Sequence, residues 1–184
     1  MTGSETLRWL VAALEQAAVP YMVVGSFASS VYGRPRTTHD LDVVIDPTAA
    51  SLDAFLGALD MDRFYVDADV ARDALRRRTM FNVIDSTTGW KVDLVIRKQR
   101  PFSVEEFRRK QSGTILGVPV QLATAEDVVI AKLEWALAGG SARQLDDVRG
   151  ILAAHGDRLD LAYVTAWAET LGLADIWGRA RAAG

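Results

Sequence analysis

Three short features of this 184-residue chain carry residue types able to do chemistry together: Gly25-Ser26, Asp40-Leu41-Asp42 and, much later, Asp93 inside Lys91-Val92-Asp93-Leu94-Val95. Residues 40–45 read as a strand. Successive side chains of a strand point to opposite faces, so Asp40 and Asp42 project to one side and Leu41, Val43 and Ile45 to the other. Two carboxylates then share one small volume. If the strand of Asp93 pairs nearby with its carboxylate on that face, three negative charges converge and repel one another unless a cation joins them. Magnesium or manganese is the natural choice, because hard divalent ions take oxygen ligands. Two such ions about 3.5–4 Å apart form the arrangement used for in-line phosphoryl chemistry.

Gly25-Ser26 supplies what the carboxylates lack. The apolar run Tyr21-Met22-Val23-Val24 reads as a buried strand that passes at Gly25 directly into a helix over residues 26–32. A helix N-terminus presents unpaired N–H groups and positive dipole to an anion, and glycine lets backbone and ligand approach closely. Ser26 adds a hydroxyl donor; as an ordinary N-cap it would contribute about 1 kcal/mol, a role compatible with phosphate binding. Taken singly, Asp40 reads equally as a loop cap and Asp93 as a hairpin residue. Their order along the chain makes the group a candidate metal and phosphate site.

The elements that must position these residues follow from periodicity and breakers. Residues 4–18 carry Leu7, Leu10, Val11 and Leu14 at helical spacing and stop before Pro20. A helix is expected over 49–59 and a basic helix near 70–77, with a polar stretch between them. Strands are expected over 79–85 and 90–96, joined by the turn Ser86-Thr87-Thr88-Gly89. Ser103 and Glu106 have capping-box spacing for a helix reaching about Gln111. Residues 114–122 read as a hairpin turning at Gly117, and from Thr124 the pattern is helical. The expected class is α+β: a mixed sheet flanked by helices over residues 1–122, carrying a helical part over 123–184.

Apolar residues make up 49% of the chain and charged residues 24%, an ordinary globular composition. Without cysteine there is no thiol nucleophile, disulfide framework or cysteine-ligated zinc. No secretory signal pattern and no apolar run of bilayer length are seen, so a soluble cytoplasmic protein without membrane partners is expected. The net charge of −3 is unevenly placed: residues 72–110 hold eleven Lys and Arg against five acids, a net of +6 that leaves −9 elsewhere. That segment is either a track for a polyanion such as RNA or a set of solvated helix faces.

The spacing of Gly25-Ser26, Asp40-Leu41-Asp42 and Asp93 resembles the nucleotidyltransferase superfamily with the DNA polymerase β-like fold. Residues 124–133, Thr-Ala-Glu-Asp-Val-Val-Ile-Ala-Lys-Leu, followed by Arg143-Gln144-Leu145-Asp146-Asp147-Val148, are similar to the later motifs of its AbiEii-type and MenT-type toxin branch. The resemblance spans roughly residues 20–152. It implies transfer of a nucleoside monophosphate from a nucleoside triphosphate to a hydroxyl acceptor, with magnesium or manganese as cofactor. Asp40 and Asp42 would bind metal, Asp93 would be the third carboxylate assisting the attacking hydroxyl, and Ser26 beside Gly25 would hold phosphate. Lys132, touching phosphate, and Asp147 would line the nucleotide pocket.

The residues themselves leave more open. Helical spacing turns Val128, Ala131 and Trp135 inward and puts Lys132 on a flank, where a surface lysine with a buried stem is the ordinary reading. Either Asp146 or Asp147 can form a surface ion pair with Arg143 or Arg149. Arg36 reaches phosphates if its loop folds over the site and is otherwise an exposed loop arginine. His39 reads as orienting that loop, and all five tryptophans read as core or half-buried packing. The acceptor, tRNA or another RNA or a protein, is not fixed by the sequence, nor is an antitoxin partner. A non-catalytic nucleotide-binding or partner-binding module, such as one half of a toxin–antitoxin pair, is the other reading.

Overall fold

Hydrophobic alternation builds the centre of the molecule. The computed structural model describes residues 3–35, 38 and 40–182. In β2 (Asp40–Ile45) and β5 (Trp90–Ile96), Leu41, Val43 and Ile45 join Trp90, Val92, Leu94 and Ile96 on one fully buried face. The opposite face carries Asp40, Asp42, Lys91, Asp93 and Val95, all partly open to solvent apart from the buried Val44 between them. Charge accumulates only where the sheet is not closed over.

β2 lies parallel to β5 and antiparallel to β1 (Tyr21–Val23). Outside β5 come β4 (Met80–Asp85) and the two-residue β3 (Phe64–Tyr65); outside β1 come β7 (Val118–Leu122) and β6 (Gln111–Ile115). The order β3-β4-β5-β2-β1-β7-β6 makes one mixed seven-stranded sheet. It carries two sets of helices. α3 (Ala49–Gly57) touches both α1 (Gly3–Gln16) and α4 (Ala68–Arg77), of which α1 reaches β7 and α4 reaches β4. α2 (Gly25–Tyr32) packs on β2 and against α6 (Ala125–Gly139) and α7 (Ala142–His155), which α8 (Leu161–Thr170) and α9 (Ala174–Arg181) complete. The α+β class with a mixed sheet is as expected. None of the described helices is long and apolar enough to cross a membrane.

Three local details differ from the sequence reading. The helix expected to open at Ser103 is α5 (Pro101–Arg109), with Arg100 as N-cap and Pro101 at its first position. Proline there has its φ preset and no N–H to leave unpaired, and it outweighs the capping-box spacing. Ser103 Oγ instead accepts from Arg100 Nε at 2.9 Å. The hairpin begins at Gln111 rather than Thr114, and it turns through Leu116 and Gly117, whose φ of 49° and 75° suit a tight primed turn. The polar stretch before residue 69 contains β3, where Phe64 stacks on Trp9 at 3.7 Å between ring centroids.

At the far edge, Asp85 ties elements together. Fully buried, its carboxylate accepts from Arg63 Nη2 and Thr6 Oγ1, both at 2.7 Å, and from Thr87 Oγ1 at 2.6 Å. Burial alone would raise its pKa; the hydrogen bonds from Arg63, Thr87 and Thr6 outweigh that and hold it well below the ordinary carboxylate range.

Candidate active site

The parallel register of β2 and β5 sets Asp42 directly opposite Asp93 and Asp40 opposite Lys91. Neighbouring strands lie about 5 Å apart, so the Asp42 and Asp93 side chains leave the same face side by side. Asp40 is exposed, while Asp42 and Asp93 are half-buried. Asp93 is held from both sides: Lys91 Nζ lies 3.0 Å from Oδ2, and Asn82, its partner in the antiparallel β4 register, donates to Oδ1. Asn82 went unnoticed in the sequence because nothing there fixes which β4 residue faces Asp93.

Asp42 carries the electrostatic strain of the group. Burial raises its pKa, the Asp93 charge raises it further and Asp40 adds to it; the Ser26 backbone N–H and the Lys132 charge pull it back. Ionising Asp42 therefore costs more than ionising a free carboxylate unless positive charge arrives.

Gly25 is where chain geometry and chemistry meet. Its φ is +64°, and a Cβ there would lie 2.0 Å from Asp42 Oδ2. The Val24 N–H donates to the Asp42 carbonyl at 2.9 Å, so the end of β1 is pinned to β2 just where the backbone turns into α2. Only glycine fits both the turn and the approach. The N-cap of α2 is Val24 rather than Ser26, which leaves Ser26 inside the first turn with its N–H on the Asp42 carboxylate.

From Asp42 a cleft of about 390 Å³ runs between the half-open sheet face and α6. Gly25, Ser26 and Asp42 stand at one end, Val44 and Val95 lie on the sheet side, and Val128, Ala131, Lys132 and Trp135 come from α6. Lys98, Arg100 and Glu106 line it from the stretch after β5 and from α5, and Gln144 from α7. Asp40 and Asp93 do not line this cleft.

Two expectations for α6 are corrected here. Lys132 is 5% exposed and points inward, and Trp135 is 69% exposed at the cleft. The helix turns so that Val129, Ile130 and Leu133 are the fully buried positions, which moves Lys132 under cover and Trp135 out. The Lys132 ammonium pairs with Asp147 of α7, with Nζ and Oδ2 2.6 Å apart, whereas Asp146 pairs with Arg149 at 3.0 Å. Asp147 therefore meets the cleft through Lys132. Arg36 and His39 lie outside the described residues. Of the other tryptophans, Trp90 and Trp177 are buried, and Trp9 and Trp167 pack half-buried against the core.

Glu106 was not singled out in the sequence as a cleft residue. It is 9% exposed, and burial together with the neighbouring Asp127 charge pushes its carboxyl up to about 7, against the opposing pull of Arg100 and Ser103. Arg100 clamps Glu134 of α6 through both guanidinium nitrogens, the longer contact being 2.6 Å.

No group of three or more His, Asp or Glu side chains among the described residues is gathered tightly enough to enclose an ion by itself. The donors fit magnesium in another way. It keeps few protein carboxylates and completes its octahedron with water and substrate phosphates, and Asp42 beside Asp93, with Asp40 at the mouth, presents hard oxygens and unbalanced negative charge.

The basic segment is largely spent on ion pairs. Arg72, Arg76, Arg77, Arg78, Lys91, Arg97, Arg100, Arg108 and Arg109 each lie within 4 Å of a carboxylate. Lys110 donates to the Phe107 carbonyl. Of that segment's cations, only Lys98 has no side-chain partner among the described residues.

No protein-family model and no curated protein matches the chain. Solved structures do. ANT(2")-Ia in complex with adenylyl-2"-tobramycin superposes with a TM-score of 0.60 at 14% identity, over 92% of this chain and 98% of that one. The chain has the nucleotidyltransferase fold. A nucleotidyltransferase-like antigenic protein from Paracoccidioides brasiliensis gives 0.56 at 18% identity, over 83% of this chain and 74% of that one. The lincosamide antibiotic adenylyltransferase LnuA, lincomycin-bound, gives 0.52 at 10% identity, over 82% and 96%.

Proposed function

We propose that this protein transfers a nucleoside monophosphate from a nucleoside triphosphate to a hydroxyl acceptor, using magnesium or manganese. The observation that carries the reading is the register of Asp42 against Asp93 beside the Gly25-Ser26 turn, at the mouth of a cleft that Lys132 closes from α6. The fold shared with ANT(2")-Ia and LnuA supports it. Residues 1–122 form the catalytic core, and residues 123–184 complete the nucleotide pocket with Lys132 and Asp147.

Asp40, Asp42 and Asp93 would hold the metal, which supplies neutralisation of the triphosphate and of the charge developing on it. The first turn of α2, with Gly25 and Ser26, sits against the phosphates, and Lys132 adds positive charge from the opposite wall. The acceptor oxygen attacks the α-phosphorus, a new P–O bond forms as the bond to the bridging oxygen breaks, and pyrophosphate leaves with that electron pair. The hydroxyl proton passes to the Asp93 carboxylate, which Lys91 and Asn82 keep fixed during the transfer. Most of the charge in the 72–110 segment is already paired, which favours a small hydroxyl compound or a protein over tRNA as acceptor. The resemblance to AbiEii-type and MenT-type toxins makes an antitoxin partner part of this reading.

The full engagement of Asp93 by Lys91 and Asn82 favours a second reading, a non-catalytic nucleotide-binding module of a toxin–antitoxin pair. One experiment separates the two. Incubation with α-labelled nucleoside triphosphates, magnesium and separate pools of RNA, protein and hydroxylated small molecules should label one pool, and Asp42→Ala and Asp93→Ala should abolish the label. Nucleotide binding with no label in any pool would leave the module reading standing.

A further inference from the structure

Trp135 is 69% exposed where α6 lines the cleft, so its ring is open to whatever occupies that space. It follows Lys132 by three residues, so the two side chains sit one turn apart on neighbouring parts of the helix surface. Lys132 acts on the Asp42 charge, which fixes that turn of α6 to the phosphate end of the cleft. The next residue before Trp135, Glu134, is clamped by Arg100, so the segment presenting the ring is tied to α5.

Asp42 lines the cleft, whereas Asp93 and Asp40 do not. If Asp93 receives the acceptor proton, the acceptor approaches from the Lys91 and Asn82 side. The cleft is then left for the nucleotide, whose phosphates occupy the Gly25, Ser26 and Lys132 end and whose base extends along α6. Val44, Val95, Val128 and Ala131 give that stretch apolar surface but no ring. We propose that Trp135 is the stacking platform for the base of the nucleoside triphosphate, a binding residue outside the carboxylate machinery; the proposal rests on the nucleotidyl-transfer reading. A flat π-face holds any base, so Trp135 contributes affinity for nucleotides over bare polyphosphate, without selecting one base strongly.

The test compares two probes in magnesium by calorimetry, the α,β-methylene analogue of ATP and inorganic tripolyphosphate, on the full chain. Trp135→Ala is expected to weaken the nucleotide analogue on the order of tenfold, the scale of one base–aromatic stack, and to leave tripolyphosphate unchanged. Trp135→Phe, which keeps a ring, should restore most of the loss, and thermal midpoints of both variants should match the parent because the side chain lies outside the core. Nucleotide-induced quenching of tryptophan emission should fall in Trp135→Phe. Unchanged nucleotide affinity in Trp135→Ala overturns the stacking role, as does a defect confined to the acceptor KM. If the parent chain binds neither probe, or binds both equally after Asp42→Ala, the phosphate-site reading itself fails and the stacking role falls with it. Binding of both probes by the parent with an indifferent Trp135→Ala leaves that reading intact and removes only the platform.

Discussion

Lys132 and Asp147 face each other between α6 and α7 at 2.6 Å, with side chains only 6% and 15% exposed. Removing one partner of a covered pair takes from the other its nearest opposite charge, at a cost of up to about 3–5 kcal/mol. Lys132→Met and Asp147→Asn should each lower the urea midpoint, and the double variant should regain much of the loss. Nucleotide affinity should follow a different rule: Asp147→Asn retains a cation at the cleft, whereas Lys132→Met and the double variant both lose it. Denaturation and calorimetry on the three variants check both halves.

Gly25→Ala places a methyl group within the Asp42 carboxylate and forces an L-residue into positive φ. The backbone conformation alone costs about 1–2 kcal/mol, and the clash must displace Asp42 or the α2 turn besides. A lower thermal midpoint is expected together with lost magnesium-dependent nucleotide binding. Normal binding in Gly25→Ala would show that the close approach has no part in the site.

Glu106 makes stability depend on pH in one direction. Its folded pKa of about 7 lies above the ordinary carboxylate value, so its contribution is fully present below about pH 4.3 and is lost as pH rises through 7. Over that window folded chains hold a proton that unfolded chains release, and stability falls. Glu106→Gln, which keeps the shape and removes the charge, should raise the urea midpoint at pH 8 and leave it nearly unchanged at pH 4. A parallel shift at both values would mean that the carboxyl stays ionised across the range.

Asp85 behaves in the opposite sense and far from the cleft. Its depressed pKa means that its stabilisation is present above the unfolded value near 4 and is lost as pH falls toward the folded one. Asp85→Ala strands Arg63, Thr6 and Thr87 and should destabilise by about 3–5 kcal/mol, the scale for breaking a buried pair. Nucleotide affinity of the folded fraction should be unchanged, which urea titrations and calorimetry at low temperature would measure.

How much of this was legible in the sequence depended on the range of the interaction. Alternation in residues 40–45 gave the shared face of Asp40 and Asp42, because a period of two is a local property, while the face of Asp93 stayed conditional on how its strand paired. That the strands are parallel neighbours is not local and came only with the sheet. The α6 residues show the limit of a single-helix argument. Its apolar positions nearly encircle the axis, so spacing alone turned Trp135 inward and Lys132 outward, and the packing of α7 and α8 decided otherwise. Pro101 was a local signal for the start of α5 that Ser103 and Glu106 obscured. The charge of residues 72–110 was visible, but its partners Asp46, Glu126, Asp127 and Glu134 lie outside the segment and could not be assigned to it from spacing.

Because β2 and β5 run side by side in the same direction, the two central carboxylates join only after the 50 residues between them have crossed over and the second strand has docked. Closing so long a loop is slow, and the reward for it must come from the apolar back of the sheet, since the front brings like charges together. The acidic face therefore cannot form before β5 has docked on β2, and a chain ending before Asp93 would lack one of the two opposed carboxylates.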